Sequence, residues 1–128
     1  MEGKETDFFF TRLNVYNEAE DLVVKIYAYL TKFPKEEKYA LCDQVRRAAV
    51  SVPSNIAEGI SRTSAKEKVH FLDIAYASLM ETWCQMRISY KLDYMKENEL
   101  KELESSFFRV SKMISALKAK IKNKPKRL

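Results

Sequence analysis

The sequence contains one pair of residues with the spacing of a metal-binding motif. Glu67 and His70 lie three positions apart, as in the Glu-x-x-His pairs with which helical bundles hold di-iron centres. A complete centre needs two such pairs and two further inward-facing glutamates, but His70 is the only histidine and no second pair occurs. His70 is therefore expected at the surface, and the sequence predicts no catalytic residues, no metal site and no cofactor.

Other groups that enzymes use are scarce. Cys42 and Cys84 fall on apolar faces of helix-like stretches, where burial predicts unreactive thiols. The chain has only two glycines and lacks a glycine-rich phosphate-binding loop, so we predict that the protein is not an enzyme. Two cysteines cannot form a disulfide framework, and neither a signal segment nor a long apolar run occurs. We therefore expect a reduced, cytoplasmic protein that does not contact membranes.

Basic side chains are the remaining candidates for binding. The segment Lys118–Leu128 carries six basic residues and no acid, whereas residues 1–117 carry 17 basic and 18 acidic side chains. A polyanion such as RNA or DNA is attracted by clustered cations without any base-specific contact. The alternative interpretation is a protein-interaction scaffold whose basic tail aids solubility or docks an acidic partner. The candidate nucleic-acid-binding residues are Arg46, Arg47, Arg62, Lys118, Lys120, Lys122, Lys124, Lys126 and Arg127.

The length and composition predict one helical domain. The chain has 128 residues, of which 46% are hydrophobic and 32% charged, a mixture typical of a globular domain with a core of its own. Two glycines and three prolines are too few for all-β, dinucleotide-binding or phosphate-loop folds, which use glycine in their turns. We expect residues 1–122 to form a single domain with an N-terminal arm at 1–10, followed by a flexible basic tail at 123–128.

The spacing of apolar residues predicts four helices. The first is expected over Leu13–Leu30, and the second over about Lys38–Ile60 after a preliminary turn at Pro34–Glu37. Ser64 and Glu67 form a capping box that starts the third. Short links and 3.5-residue seams predict an all-α, antiparallel up-down-up-down four-helix bundle. The seams are Val69, Leu72, Tyr76, Leu79, Trp83, Met86 and Tyr90 in the third helix, and Leu100, Leu103, Phe107, Val110, Ile114, Leu117 and Ile121 in the fourth.

The second helix has more apolar surface than one bundle can cover. Its apolar arc spans about 200°, against the roughly 100° that a surface helix usually buries. The surplus predicts self-association, with Arg46, Val50, Pro53 and Ala57 in the interface. Arg46 lies within this arc, so it either bonds an acidic or carbonyl partner, for example across the interface, or extends its head into water. Pro53 removes one helical hydrogen bond and predicts a kink.

The opposite side of the second helix is polar. Glu58 stands four residues before Arg62, the favourable order for an ion pair on one helix. A solvated face is the preferred interpretation of this stripe, and a ligand-binding row is the other. The residues of the stripe are Arg47, Ser51, Ser54, Glu58 and Arg62.

Three segments resemble a known family. Arg46–Gly59, with the sequence RRAAVSVPSNIAEG and followed by Arg62, is similar to the signature of the four-helix bundle proteins encoded in 23S rRNA intervening sequences. Phe33–Tyr39 and Leu13–Tyr16 also resemble that family, whereas Ala77–Trp83 follows its pattern only in part. The resemblance implies a four-helix bundle that assembles as a ring-like homopentamer. A related branch, the accessory proteins of diversity-generating retroelements, is basic and binds nucleic acid and a reverse transcriptase; no biochemical activity is firmly established for the wider family.

Overall fold

Residues 8–123 of the chain, as described by a computed structural model, are helical and contain no β-strand. The predicted all-α class is confirmed. None of the helices within this range is long and apolar enough to cross a membrane. Most of the predicted arm and tail, residues 1–7 and 124–128, lies outside the described residues. The helices are α1 (Asn14–Leu30), α2 (Leu41–Ile60), α3 (Ala65–Lys91) and α4 (Glu97–Lys122), with short 3-10 turns at Phe9–Arg12 and Lys35–Glu37.

The helix boundaries agree with the predictions to within three residues. Helix α1 begins at Asn14, one residue after the predicted start, because Leu13 keeps an extended backbone. Helix α2 begins at Leu41 rather than about Lys38, because the chain first completes the 3-10 turn at Lys35–Glu37. The predicted cap of α3 is confirmed in its main bond, since the backbone N–H of Glu67 donates to Oγ of Ser64 over 3.1 Å.

Each helix packs against the next in the chain, and α1 also packs against α4. Ser51 of α2 meets Ser78 of α3, and Tyr29 of α1 meets Glu102 of α4. These contacts are compatible with the predicted up-down-up-down order. Helix α2 continues on both sides of Pro53, and the kink stays a prediction.

The core confirms the seam of α4 and corrects that of α3. Leu100 to Ile114 of the α4 seam are buried, with Leu117 and Ile121 half-buried at the helix end. In α3, Tyr76 was expected inside but is 37% exposed, and Val69, Trp83 and Tyr90 are only half-buried. A second line of small and polar residues on α3 is buried instead, again at three- and four-residue steps: Ala75, Ser78, Thr82, Gln85 and Ser89.

Helix α3 turns this second line of residues towards α2 because the two helices approach closely. Their contact is the most extensive one between helices in the bundle. The hydroxyls of Ser51 and Ser78 are 2.8 Å apart across this contact. At Gly59, a Cβ atom would lie 3.0 Å from Cβ of Phe71 and 3.1 Å from the carbonyl oxygen of Lys68. Only small residues permit such a separation, because larger ones would push the two backbones apart. The line of small residues therefore faces α2.

Gly59→Ala is expected to destabilise the protein by roughly 1–2 kcal/mol, because the added methyl overpacks a rigid contact. Helix propensity alone predicts a gain of up to about 1 kcal/mol for the same change. Chemical denaturation followed by circular dichroism measures the difference. Ser54→Ala, at an exposed position of the same helix, is the control and should gain a few tenths of a kcal/mol. A Gly59→Ala protein more stable than the parent would contradict the close α2–α3 contact.

Candidate nucleic-acid interface

The two adjacent arginines near the start of α2 are engaged within the chain. Nη2 of Arg46 donates to the carbonyl oxygen of Lys38 over 2.8 Å and lies 3.9 Å from Asp43. Of the two interpretations of Arg46, the structure supports a carbonyl partner, and this partner belongs to the same chain. Nε of Arg47 lies 3.5 Å from the same Asp43 carboxylate, although the Arg47 side chain itself is exposed. One acid therefore offsets part of the charge of both arginines.

Arg62 is a packing residue at the end of α2. Its Nη2 donates to Oε2 of Glu58 over 2.6 Å, and its guanidinium lies 4.7 Å from the centre of the Phe71 ring on α3. The solvated-face interpretation of the α2 polar stripe is wrong for Arg62 and Ser51, which are half-buried against α3. Arg47, Ser54 and Glu58 are exposed, and for them the solvated face stays a prediction.

The lysines near the end of α4 divide into paired and unpaired side chains. Nζ of Lys118 donates to Oδ1 of Asp73 on α3 over 2.7 Å. Lys120 and Lys122 are exposed, and within residues 8–123 neither forms an ion pair. The other three candidates in the tail, Lys124, Lys126 and Arg127, lie outside the described residues.

The fold brings further cations to this end of the bundle. Arg12 precedes α1, and Lys66 and Lys68 lie in the first turn of α3. All three are at the same end of the bundle as the last turn of α4. The sequence interpretation missed all three, because they are far from the tail along the chain. The up-down topology was the signal available, since it places the starts of α1 and α3 beside the ends of α2 and α4. We call this group the basic end: Arg12, Lys66, Lys68, Lys120 and Lys122.

An open cavity of about 700 Å³ lies within the basic end. This volume falls in the range of small-molecule sites. Nζ of Lys68 is held at the cavity by a 3.0 Å hydrogen bond to the carbonyl oxygen of Ile60. The lining is mainly apolar and comes from α2, α3, the end of α4 and the segment before α1: Phe9, Leu13, Ile60, Lys68, Leu117, Lys120, Ile121 and Asn123.

The other end of the bundle carries charges of both signs. A carboxylate oxygen of Glu99 accepts the backbone N–H of Lys96 over 2.9 Å, which lowers the pKa of Glu99 and keeps it ionised. Lys32 lies 3.5 Å from the same carboxylate. The hydroxyl of Tyr29 donates to Glu102 over 2.6 Å, and this bond raises the pKa of Tyr29 to about 12. Such fixed carboxylates repel a polyanion at this end, and the basic end has exposed carboxylates as well, at Glu58 and Glu67.

The remaining residues with catalytic potential are dispersed. His70 is exposed, as predicted, and its ring contacts Phe71 edge to face at 5.3 Å. No group of three or more histidine, cysteine or acidic side chains within residues 8–123 is placed to hold a metal ion. Cys42 is buried, and burial raises the pKa of its thiol. The prediction of a buried thiol is wrong for Cys84, which lies on the outer side of α3.

The predicted interface residues on α2 differ in exposure. Val50 is 41% exposed, Arg46 and Ala57 are half-buried, and Pro53 is already buried within the single chain. Pro53 therefore offers little surface to another copy. Val50 is the member of this set with the most apolar surface left uncovered.

Six of the exposed large apolar side chains form two groups on opposite sides of the bundle. One group is on α1 and α2, beside the groove that Tyr27 and Arg46 line together. The other surrounds a groove between α3 and α4 in which Trp83 and Phe107 form the floor. We call them the α1–α2 face, consisting of Val24, Tyr27 and Val50, and the α3–α4 face, consisting of Tyr76, Met80 and Phe108.

Comparisons with known proteins agree with the helical architecture. Residues 11–116 match the family model described as 23S rRNA-intervening sequence protein. A solved structure from Bacteroides thetaiotaomicron, described as a protein with unknown function from the S23 ribosomal protein family, gives a TM-score of 0.74 at 17% sequence identity. That likeness covers 81% of this chain and 97% of the other, and at this identity it shows the fold alone. No curated protein matches the chain significantly.

The two cysteines are expected to react with a disulfide reagent at very different rates. Cys84 is exposed and should react fast, whereas Cys42 is 3% exposed with a raised pKa, so its thiolate is scarce and shielded. Absorbance of the released thiol on the native protein measures both phases. Cys84→Ser should remove the fast phase, and Cys42→Ser should leave it intact. Loss of the fast phase in Cys42→Ser instead would show that the assignment of burial is wrong.

Proposed function

The chain belongs to the 23S rRNA-intervening sequence protein family, and from this premise we propose that it is a cytoplasmic, non-enzymatic homo-oligomer that binds RNA or DNA without sequence preference. The observation that carries the proposal is the basic end, where three separate segments of the chain contribute cations to one surface. The tail residues Lys124, Lys126 and Arg127 follow directly on α4 and add to its charge.

The proposed contacts are electrostatic. Lys120 and Lys122 are exposed without an acidic partner among residues 8–123, so phosphates reach them without displacing an ion pair. Arg46, Arg47, Arg62 and Lys118 are bonded to groups of their own chain, and we assign them a smaller share of the binding. Binding through phosphates alone is weak, tolerant of sequence and strongly dependent on salt.

Self-association is proposed to use the two apolar faces. Because the α1–α2 face and the α3–α4 face lie on opposite sides, one copy presents a different surface to each neighbour. Contacts of this head-to-tail kind close into a ring when the rotation between copies permits. Five copies are the number that family membership suggests. A ring repeats every basic end and so raises the affinity for a long polyanion through effective concentration. The link to retroelement accessory proteins stays an expectation.

A protein-interaction scaffold is the second candidate. It is favoured by the groove of the α3–α4 face, where Phe108 is 61% exposed beside Tyr76 and Met80. Exposed aromatic side chains of this kind are typical of surfaces that bind other proteins. Under this alternative, the basic tail aids solubility or docks an acidic partner, and nucleic acid is not bound.

Charge reversal at Lys122, Lys124, Lys126 and Arg127 to glutamate tests the proposed binding. The variant is expected to keep its helicity and mass, to lose most of its affinity for RNA and DNA, and to depend less steeply on salt, because fewer counterions are released. Fluorescence anisotropy with labelled oligonucleotides at several salt concentrations measures both properties.

The matched control reverses four exposed cations at the other end of the bundle: Lys35, Lys38, Arg87 and Lys91. Both variants have the same net charge, so a difference between them reports position. Equal losses of affinity would contradict a binding surface at the basic end. Absence of binding by the unaltered protein at low salt would favour the scaffold.

Single carboxylates placed on the apolar faces test the proposed association. Val50→Asp and Phe108→Asp each block one face, because an unpaired carboxylate is costly in an apolar interface. Light scattering of each variant should give a smaller mass than that of the unaltered protein, with unchanged helix content by circular dichroism.

Mixing the two variants distinguishes head-to-tail contacts from symmetric ones. Each variant keeps the face that the other has lost, so an equimolar mixture should form mixed dimers that neither variant forms alone. A mass near 15 kDa for the unaltered protein at micromolar concentration would contradict association altogether. If the mixture forms no mixed dimers, that result would contradict the head-to-tail arrangement.

A further inference from the structure

We propose that the cavity of the basic end receives an unpaired nucleobase, so that the ligand of this protein is single-stranded nucleic acid. The inference rests on the proposed function, and it adds to that function the class of nucleic acid and the feature that is recognised. A purely electrostatic surface does not distinguish strands with bases from strands without them. The cavity supplies a contact that does.

The walls of the cavity suit the faces of a base. Phe9, Leu13 and Ile60 line one part, and Leu117 and Ile121 of α4 line another. The faces of a nucleobase are apolar and stack on aromatic rings in a manner that tolerates sequence. Phe9 is 59% exposed, so its ring is open to such a contact. The edges of a base are polar, and the side chains of Lys68 and Asn123 lie in the same lining to meet them.

Cations surround the cavity where the sugar-phosphate chain would leave it. Lys68 is held in place by its hydrogen bond to the carbonyl oxygen of Ile60, and Lys120 lies in the lining beside it. The guanidinium of Arg12 lies 5.7 Å from the centre of the Phe9 ring. When a base lies between these groups, the phosphate on each side of that base has a cation within reach. An apolar pocket bordered by cations is the arrangement with which proteins bind single strands without reading their sequence.

A duplex cannot use this cavity. Inside a double helix the faces of each base are stacked on their neighbours, and exposing one face requires unpairing and unstacking. A single strand presents its bases without that cost. The cavity therefore discriminates between the two forms although no base-reading motif is present in the sequence.

The test compares three ligands with the full-length protein at one low salt concentration. They are an oligothymidine of about 12 nucleotides, an abasic strand of the same length, and a duplex of the same length. The thymidine and abasic strands carry the same number of phosphates, so electrostatics alone predicts equal affinity. We expect the thymidine strand to bind at least about fivefold more tightly than the abasic strand, the gain that stacking of a single base supplies. The duplex carries more phosphates, so its arm is judged by Phe9→Ala, which should leave its affinity unchanged.

A pair of variants assigns the difference to the cavity. Phe9→Ala should bring the affinity for oligothymidine down to that for the abasic strand and leave the abasic affinity unchanged. Tyr39→Ala is the control, because Tyr39 is also an exposed aromatic residue, but it lies before α2 at the other end of the bundle and outside both apolar faces. It should leave all three affinities unchanged. Removal of either exposed side chain leaves the core intact, and circular dichroism verifies this.

Three results would overturn the inference. If the unaltered protein binds the thymidine and abasic strands equally, the cavity takes no base, while the proposed binding of nucleic acid stands. If Phe9→Ala and Tyr39→Ala have the same effect on the thymidine strand, the preference does not come from this cavity. If none of the three ligands binds at low salt, the proposed function is wrong, and the inference with it.

Discussion

The close approach of α2 and α3 is the constraint on which the other features of the structure depend. At Gly59, a Cβ atom would lie only 3.0 Å from Cβ of Phe71 and 3.1 Å from the carbonyl oxygen of Lys68. To fit, α3 turns its line of small residues towards α2 and places Ser78 against Ser51. The same turn leaves Tyr76 at the surface, where it borders the groove between α3 and α4.

That contact also organises the basic end. With α2 and α3 in contact up to the link between them, the amine of Lys68 reaches the carbonyl oxygen of Ile60 at the end of α2. Both residues then line the cavity together with the last turns of α4. Arg62 completes the junction by stacking on Phe71 while it is paired with Glu58. Arg62, a binding candidate in the sequence, therefore serves the packing of the helices that build the proposed binding surface.

The sequence alone was sufficient to predict the buried residues of a helix in which the buried positions are also the hydrophobic ones. The large apolar side chains of α4 recur at core spacing, and the structure buries them from Leu100 to Ile114. In α3, burial and hydrophobicity do not coincide at every position. Ala75, Ser78 and Thr82 are buried because they are small, and a pattern of hydrophobic residues carries no information on size. The cavity and the basic end were not predictable in the same way. Arg12, Lys68 and Lys120 become neighbours only through the topology, although the predicted bundle contained the information needed to place them.

The central claim is that nucleic acid meets the protein at the basic end, and ultraviolet cross-linking to a single-stranded oligouridine tests it most directly. Cross-linked peptides identified by mass spectrometry should come from the start of α1 and the end of α4, with adducts at or near Phe9 and Lys120, two residues of the cavity lining. Bases stacked on an aromatic ring are well placed for such a reaction. Adducts concentrated at the other end, near Arg87 and Lys91, or spread evenly over the surface, would contradict the account.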